Sequence, residues 1–118
     1  MNIEEYSDYC LSKPGVTEGF PFDENTLVFK VMGKMFALAD VEDFVSINLK
    51  CDPELSVELR EEYDAVNPGY HMNKNHWNTV EVNSDAPDKK IYEWIDMSYN
   101  LVVKSLTKKQ KEELKKDK

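Results

Sequence analysis

Three short segments between Thr26 and Lys50 alternate apolar and polar residues, and tight turns join them. In Thr26–Val31, Leu27, Phe29 and Val31 share one face, and Gly33 then turns the chain into Met35–Ala39. Asp40–Asp43 makes the next turn. Phe44–Lys50 puts Val45, Ile47 and Leu49 on one side and Ser46, Asn48 and Lys50 on the other. A period of two is the mark of a half-buried strand, and strands joined by short turns pair antiparallel. The segment is therefore an antiparallel meander with one apolar face, and the rest of the chain must cover that face.

The cover is helical. Asn2 followed by Glu5 is a capping-box pattern, and Ile3, Tyr6 and Cys10 recur at helical spacing, so residues 3–13 read as a helix stopped by Pro14-Gly15. Asp52-Pro53-Glu54 supplies an N-cap, a first-turn proline and an acid for a second helix. Its stripe is Leu55, Leu59 and Tyr63, and it ends before Asn67-Pro68-Gly69. Asp85, with Asp88 three residues on, starts the longest helix, striped by Ile91, Trp94, Ile95, Ser98, Leu101 and Val102. Val16–Asn25 reads as a loop, Tyr70–Met72 as a short strand, and Trp77–Val82 as a strand with Val80 and Val82 inward. The order α-β-β-β-α-β-β-α predicts an α+β fold: a single domain, with an antiparallel sheet carrying helices packed on one face and the other face open to water. At 118 residues the chain is one domain. Its expected extent is residues 1–106, followed by a lysine-rich polar tail, 107–118. Thr107 and Gln110 can start a turn or two there, but Leu114 is nearly the only apolar residue. The tail is expected to be a solvated, frayed end that adds little stability.

Charge and motifs exclude several functions. Residues 104–118 hold seven lysines and three acids, a local +4, within a chain of net charge −8; residues 1–103 therefore carry −12. That field repels phosphate backbones and anionic lipid over most of the surface. Arg60 is the single arginine, which matters because bidentate recognition of phosphate or guanine relies heavily on Arg. No apolar run is long enough to cross a membrane. The start, Met1-Asn2-Ile3-Glu4-Glu5, lacks the basic and apolar regions of a secretory signal, so the expected compartment is the cytoplasm. Cys10 and Cys51 are isolated and read as free thiols. No GxSxG, P-loop, GxGxxG or HExxH is present, so an enzyme is the least supported class and a cofactor is not expected.

Five runs carry a family resemblance. Pro14-Gly15-Val16-Thr17-Glu18-Gly19-Phe20-Pro21-Phe22 resembles the PGxxExxPF opening of the MmcQ/YjbR-like family of small bacterial proteins. Phe29-Lys30-Val31-Met32-Gly33-Lys34-Met35-Phe36-Ala37 is similar to its FKVxGKxFA block, and Leu49-Lys50-Cys51-Asp52-Pro53-Glu54 to its LKxxPE element. Tyr70-His71-Met72-Asn73-Lys74-Asn75-His76-Trp77 resembles the run in which a lysine precedes His-Trp, and Ser98-Tyr99-Asn100-Leu101-Val102 the closing SYxLV. The resemblance implies a CyaY-like (frataxin-like) fold. It also implies DNA binding through a double-wing arrangement, and it brings no catalytic residues.

The candidate binding residues are Lys30, Lys34, Lys50, Lys74, His76 and Trp77. Strand parity places Trp77 on the open face with Lys30, Ser46, Asn48 and Lys50. Two readings of Trp77 stay open: a contact residue for a macromolecular partner, or a structural plug under the 64–76 loop, with His76 capping a turn. The lysine tail, with Lys30, Lys34, Lys50 and Lys74 if they cluster, supports DNA, and the −12 of residues 1–103 disfavours it. His71 and His76, with Cys51, lack the tight spacing of zinc ligands. The acids Glu4 and Asp8 on the first helix invite a frataxin-like metal role, but a solvated helix face has the same sequence. A protein–protein adaptor is the third reading. The expected state is a monomer.

Overall fold

The computed structural model describes residues 1–70 and 72–116. The elements are α1 (Ile3–Leu11), β1 (Val16–Gly19), β2 (Thr26–Val31), β3 (Lys34–Asp40), β4 (Ser46–Lys50), α2 (Pro53–Glu62), β5 (Val66–Pro68), β6 (Trp77–Glu81), α3 (Asp88–Ser105) and α4 (Lys108–Lys116). The strands form one antiparallel sheet in the order β1-β2-β3-β4-β6-β5. Side chains from all four helices join one core with the inward residues of the sheet, among them Phe29, Val31, Ile47, Leu49 and Val80. The α+β class, the meander and the one-sided helical layer are as the sequence predicts.

Local chemistry explains the elements. The Asn2 side chain accepts the Glu5 N–H while the Glu5 side chain accepts the Asn2 N–H, closing the capping box of α1. Asp52 caps α2 by accepting from Glu54 and Leu55. Between β2 and β3 the two-residue turn Met32-Gly33 has positive φ at both positions, 50° and 81°, the handedness that matches strand twist in a tight hairpin. A β-bulge follows: Phe29 faces Ala37 but Lys30 faces Met35, leaving Phe36 over. The extra residue turns Phe36 onto the helical side, where its ring meets Tyr99 edge-on at 5.4 Å. The buried Ser98 hydroxyl closes the gap in the ladder. It accepts the Lys50 N–H at 2.8 Å and donates to the Phe36 carbonyl at 2.5 Å.

Five details differ from the sequence-based expectation. Val16–Gly19 is a strand rather than part of a loop; it pairs with β2 and forms one edge of the sheet. The short strand predicted at Tyr70–Met72 lies instead at Val66–Pro68, the other edge, where a proline's missing N–H faces no neighbour. Asp85 does not cap the long helix, which starts at Asp88 behind Pro87; its two carboxylate oxygens accept the N–H groups of Asp64 and Ala65, each at 2.8 Å. Val45 was expected inward but precedes β4 and is exposed. The tail is helical as far as Lys116, with Thr107 and Gln110 capping each other and Leu114 buried in the main core. Asp117 and Lys118 lie outside the described residues.

Candidate functional site

The helix-free face of the sheet carries a second, small apolar cluster of Val28, Leu38 and Trp77, with Met35 and Met72 packed against it. Strand parity puts Trp77 on this face, as expected, but the ring is covered and 7% exposed. Its cover is the chain after β5, which folds over the sheet. The Tyr70 N–H donates to Thr79 Oγ1 at 2.8 Å, and Thr79 in turn donates to Asn48 Oδ1 across the face. Gly69 lies so close that a Cβ there would sit 2.8 Å from the Trp77 Cβ and 2.9 Å from its carbonyl oxygen. Trp77 is the plug under this segment.

The six candidate residues do not converge. Lys30 and Lys50 are half-buried on the open face, two strands apart. Lys34 pairs with Val31, so it has the helix-side parity, and its ammonium points to the Ser105 carbonyl at the end of α3. Lys74 donates to the Gly69 carbonyl at 3.0 Å, inside the covering segment. His76 is exposed, and its backbone carbonyl accepts the Cys51 N–H at 2.8 Å. Arg60 reaches the same segment from α2, donating to the Lys74 carbonyl at 2.7 Å and to Asn78 Oδ1 at 2.9 Å. The cations that phosphate recognition would need are in part fastening a loop.

Other sequence candidates are separated as well. Among the described residues no three His, Cys, Asp or Glu side chains gather as a metal site, and Glu4 and Asp8 are exposed on α1. His71 lies outside the described residues. Both cysteines are buried thiols. Burial pushes Cys10 up to about 12 and raises Cys51, so neither is poised as a thiolate. No described helix is long and apolar enough to cross a membrane.

What the open face does present is a groove of about 480 Å³ beside the Trp77 cluster. Thr26, Leu38, Ser46 and Asn48 form its floor, with Phe22–Asp23 on one wall and Tyr70 and Met72 on the other. The Phe22 and Tyr70 rings are 63% and 68% exposed, the two most exposed large apolar side chains described. Asp23 holds the Phe22 wall in place by accepting the N–H groups of Asn25 and Thr26, which also keeps its carboxyl below the usual range. Sequence reading passed over both rings. Their signal was an aromatic beside a turn residue, Pro21-Phe22 and Gly69-Tyr70, in stretches with no apolar periodicity to bury them.

A one-sided antiparallel sheet whose helix-free face is partly roofed by a loop, leaving an aromatic-walled groove, defines a small α+β domain. The chain belongs to the YjbR family, whose model matches residues 11–101. It is 36% identical over 112 residues to the uncharacterised protein YjbR of Escherichia coli, covering 94% of this chain and 95% of that one. A second relative, the uncharacterised Escherichia coli protein YbdF, is 36% identical over 107 residues, or 90% and 88% of the two chains. Among solved structures, the Deinococcus radiodurans protein DR2400, a DUF419 domain, superposes with a TM-score of 0.89 at 39% identity, covering 96% of this chain and 87% of its own. A Pseudomonas syringae protein gives a TM-score of 0.73 at 31% identity over 86% of this chain and 98% of that one.

Proposed function

We propose that this protein is a non-enzymatic binding domain that holds a macromolecular partner in the open-face groove. The observation that carries the reading is the pair of exposed rings, Phe22 and Tyr70, that line one groove with Leu38, Thr26, Ser46 and Asn48. Aromatic anchors around a partly polar concavity are how contact centres are built. Single exposed apolar residues need no explanation, but two on separate loops around one groove do. Catalysis draws no support from the thiols, which are buried with raised pKa. The double-wing DNA reading is weaker than a protein partner. Lys34 stands on the opposite side of the sheet, and Lys74 and Arg60 are engaged with backbone carbonyls.

A peptide-display selection on the intact protein tests this, with counter-selection on a Phe22→Ala/Tyr70→Ala variant. Because both rings are exposed, the variant should keep its circular dichroism and lose less than about 1 kcal/mol of stability. Enrichment of peptides that bind the parent and not the variant supports the groove. A short DNA duplex is titrated in parallel at low and moderate salt. Steeply salt-dependent binding that is indifferent to Phe22 and Tyr70, with no ring-dependent peptide, would overturn it.

A further inference from the structure

The groove is electrostatically one-sided. Thr26 pairs with Asp40, and the Val41 N–H donates to the Asn25 carbonyl at 2.9 Å, so the turns Asp23–Asn25 and Asp40–Asp43 lie side by side at one end of the sheet. Those two turns bring Asp23, Glu24, Asp40, Glu42 and Asp43 together, all exposed. Glu81, paired with Ser46, adds a sixth carboxylate at the same end. Asp23 and Asp40 themselves line the groove, and among the described residues no Lys or Arg does. The lysines of this face are at its far end: Lys50 pairs with Trp77, four residues and roughly 13 Å along the strand from Ser46. Asp40 accepts the N–H groups of Glu42 and Asp43, so the turn holds its charges in place.

We infer that the partner is a basic protein segment, which seats an apolar side chain between Phe22 and Tyr70 and directs Lys or Arg side chains toward the carboxylates of the two turns. This rests on the groove being the binding site and adds the chemistry of the occupant. Charge complementarity selects it. A phosphate backbone or an acidic peptide in the same groove would meet Asp23 and Asp40 in its lining, with four more carboxylates at the same end of the sheet. A wholly apolar segment would leave them without a counterpart. Arg is the better fit of the two cations, since its planar guanidinium stacks on aromatic rings and pairs with carboxylates bidentately.

The test uses two labelled peptides, one alternating Leu with Arg and the other alternating Leu with Glu, read by fluorescence anisotropy at an ionic strength of about 0.15 M. The Arg peptide is expected to bind saturably and the Glu peptide not. Two protein variants should each weaken the Arg peptide at least tenfold: Phe22→Ala/Tyr70→Ala, and Glu24→Gln/Glu42→Gln/Asp43→Asn. Removing three carboxylates on the helical side, Glu58→Gln/Glu61→Gln/Glu62→Gln, controls for general attraction to an acidic body and should change affinity less than twofold. Equal loss in the control, or binding of both peptides alike, overturns the inference. The two proposals fail separately. Selected peptides that depend on Phe22 and Tyr70 but carry no Lys or Arg leave the groove standing and remove its basic occupant. No ring-dependent peptide at all removes both.

Discussion

Trp77→Ala separates a plug from a contact residue. A buried tryptophan removes about 150–250 Å² from water, which at about 25 cal/mol per Å² is roughly 4–6 kcal/mol as an upper bound. The ring packs in a cluster of only Val28 and Leu38, flanked by Met35 and Met72, so some of the lost volume can be refilled as Met72 and its loop collapse. The expected cost is therefore about 3–5 kcal/mol. For a domain of this size that is a fall in melting temperature of roughly 10–20 °C. Urea unfolding followed by far-UV circular dichroism measures it, with Trp94 of the main core kept as a second probe. Gly69→Ala should point the same way, because the added Cβ meets the backbone and Cβ of Trp77 below 3 Å. A loss under about 1 kcal/mol in Trp77→Ala, with the urea dependence unchanged, would refute the burial argument and return Trp77 to the contact residues.

Ser98→Ala leaves the Lys50 N–H and the Phe36 carbonyl without their bridge, and should cost about 2–4 kcal/mol in the same urea assay. Ending the chain after Thr107 removes α4 and the buried Leu114 from the main core; a loss of about 2–3 kcal/mol is expected by calorimetry, where a merely solvated tail would cost almost nothing. Alkaline titration should destabilise the fold. Cys10 ionises near 9 when unfolded but only at about 12 when buried, so the native state keeps a proton that the unfolded chain has lost. Stability then falls as pH rises above 9, by about 1 kcal/mol per unit. Burial also raises Tyr6 above its ordinary 10. Cys51 is raised by burial as well, so unfolding curves of Cys10→Ala should lose part of the slope above pH 9 and keep the part that Cys51 and Tyr6 supply.

Periodicity made the meander and the three main helices legible because each buries one face of its own. It could not show β1. Val16–Gly19 has no internal alternation, and its strand geometry comes from pairing with β2. Parity placed Trp77 on the correct side of the sheet, yet its cover arrives from Gly69 and Met72, in a loop that Arg60 of α2 fastens at the Lys74 carbonyl. The lysines show the same limit. Lys30 and Lys34 stand in one sequence block, but the hairpin and its bulge send them to opposite faces. Leu114 reads as isolated along the tail because a count in sequence omits the main core that the rest of the fold supplies.

Most residues in the five runs that carry the family resemblance are accounted for by the framework. Pro14 anchors the end of α1 by its carbonyl, which accepts the Tyr99 hydroxyl at 2.6 Å. Ser98 bridges the bulge at Phe36, Asp52 caps α2, and the His76 carbonyl takes the Cys51 N–H. Each of these would be needed in a domain that bound nothing. Phe22 and Tyr70 stand in two of the same runs and leave most of their rings in water. Exposing them costs the fold the hydrophobic gain it takes from buried rings such as Phe29 and Phe36, about 1.5–3 kcal/mol apiece. A chain that buries Phe29, Phe36, Trp77 and Trp94 does not lack the means to bury two more. Their place on either side of one groove, beside two acidic turns, is an arrangement that packing alone does not require, and it is the arrangement that a partner segment would complete.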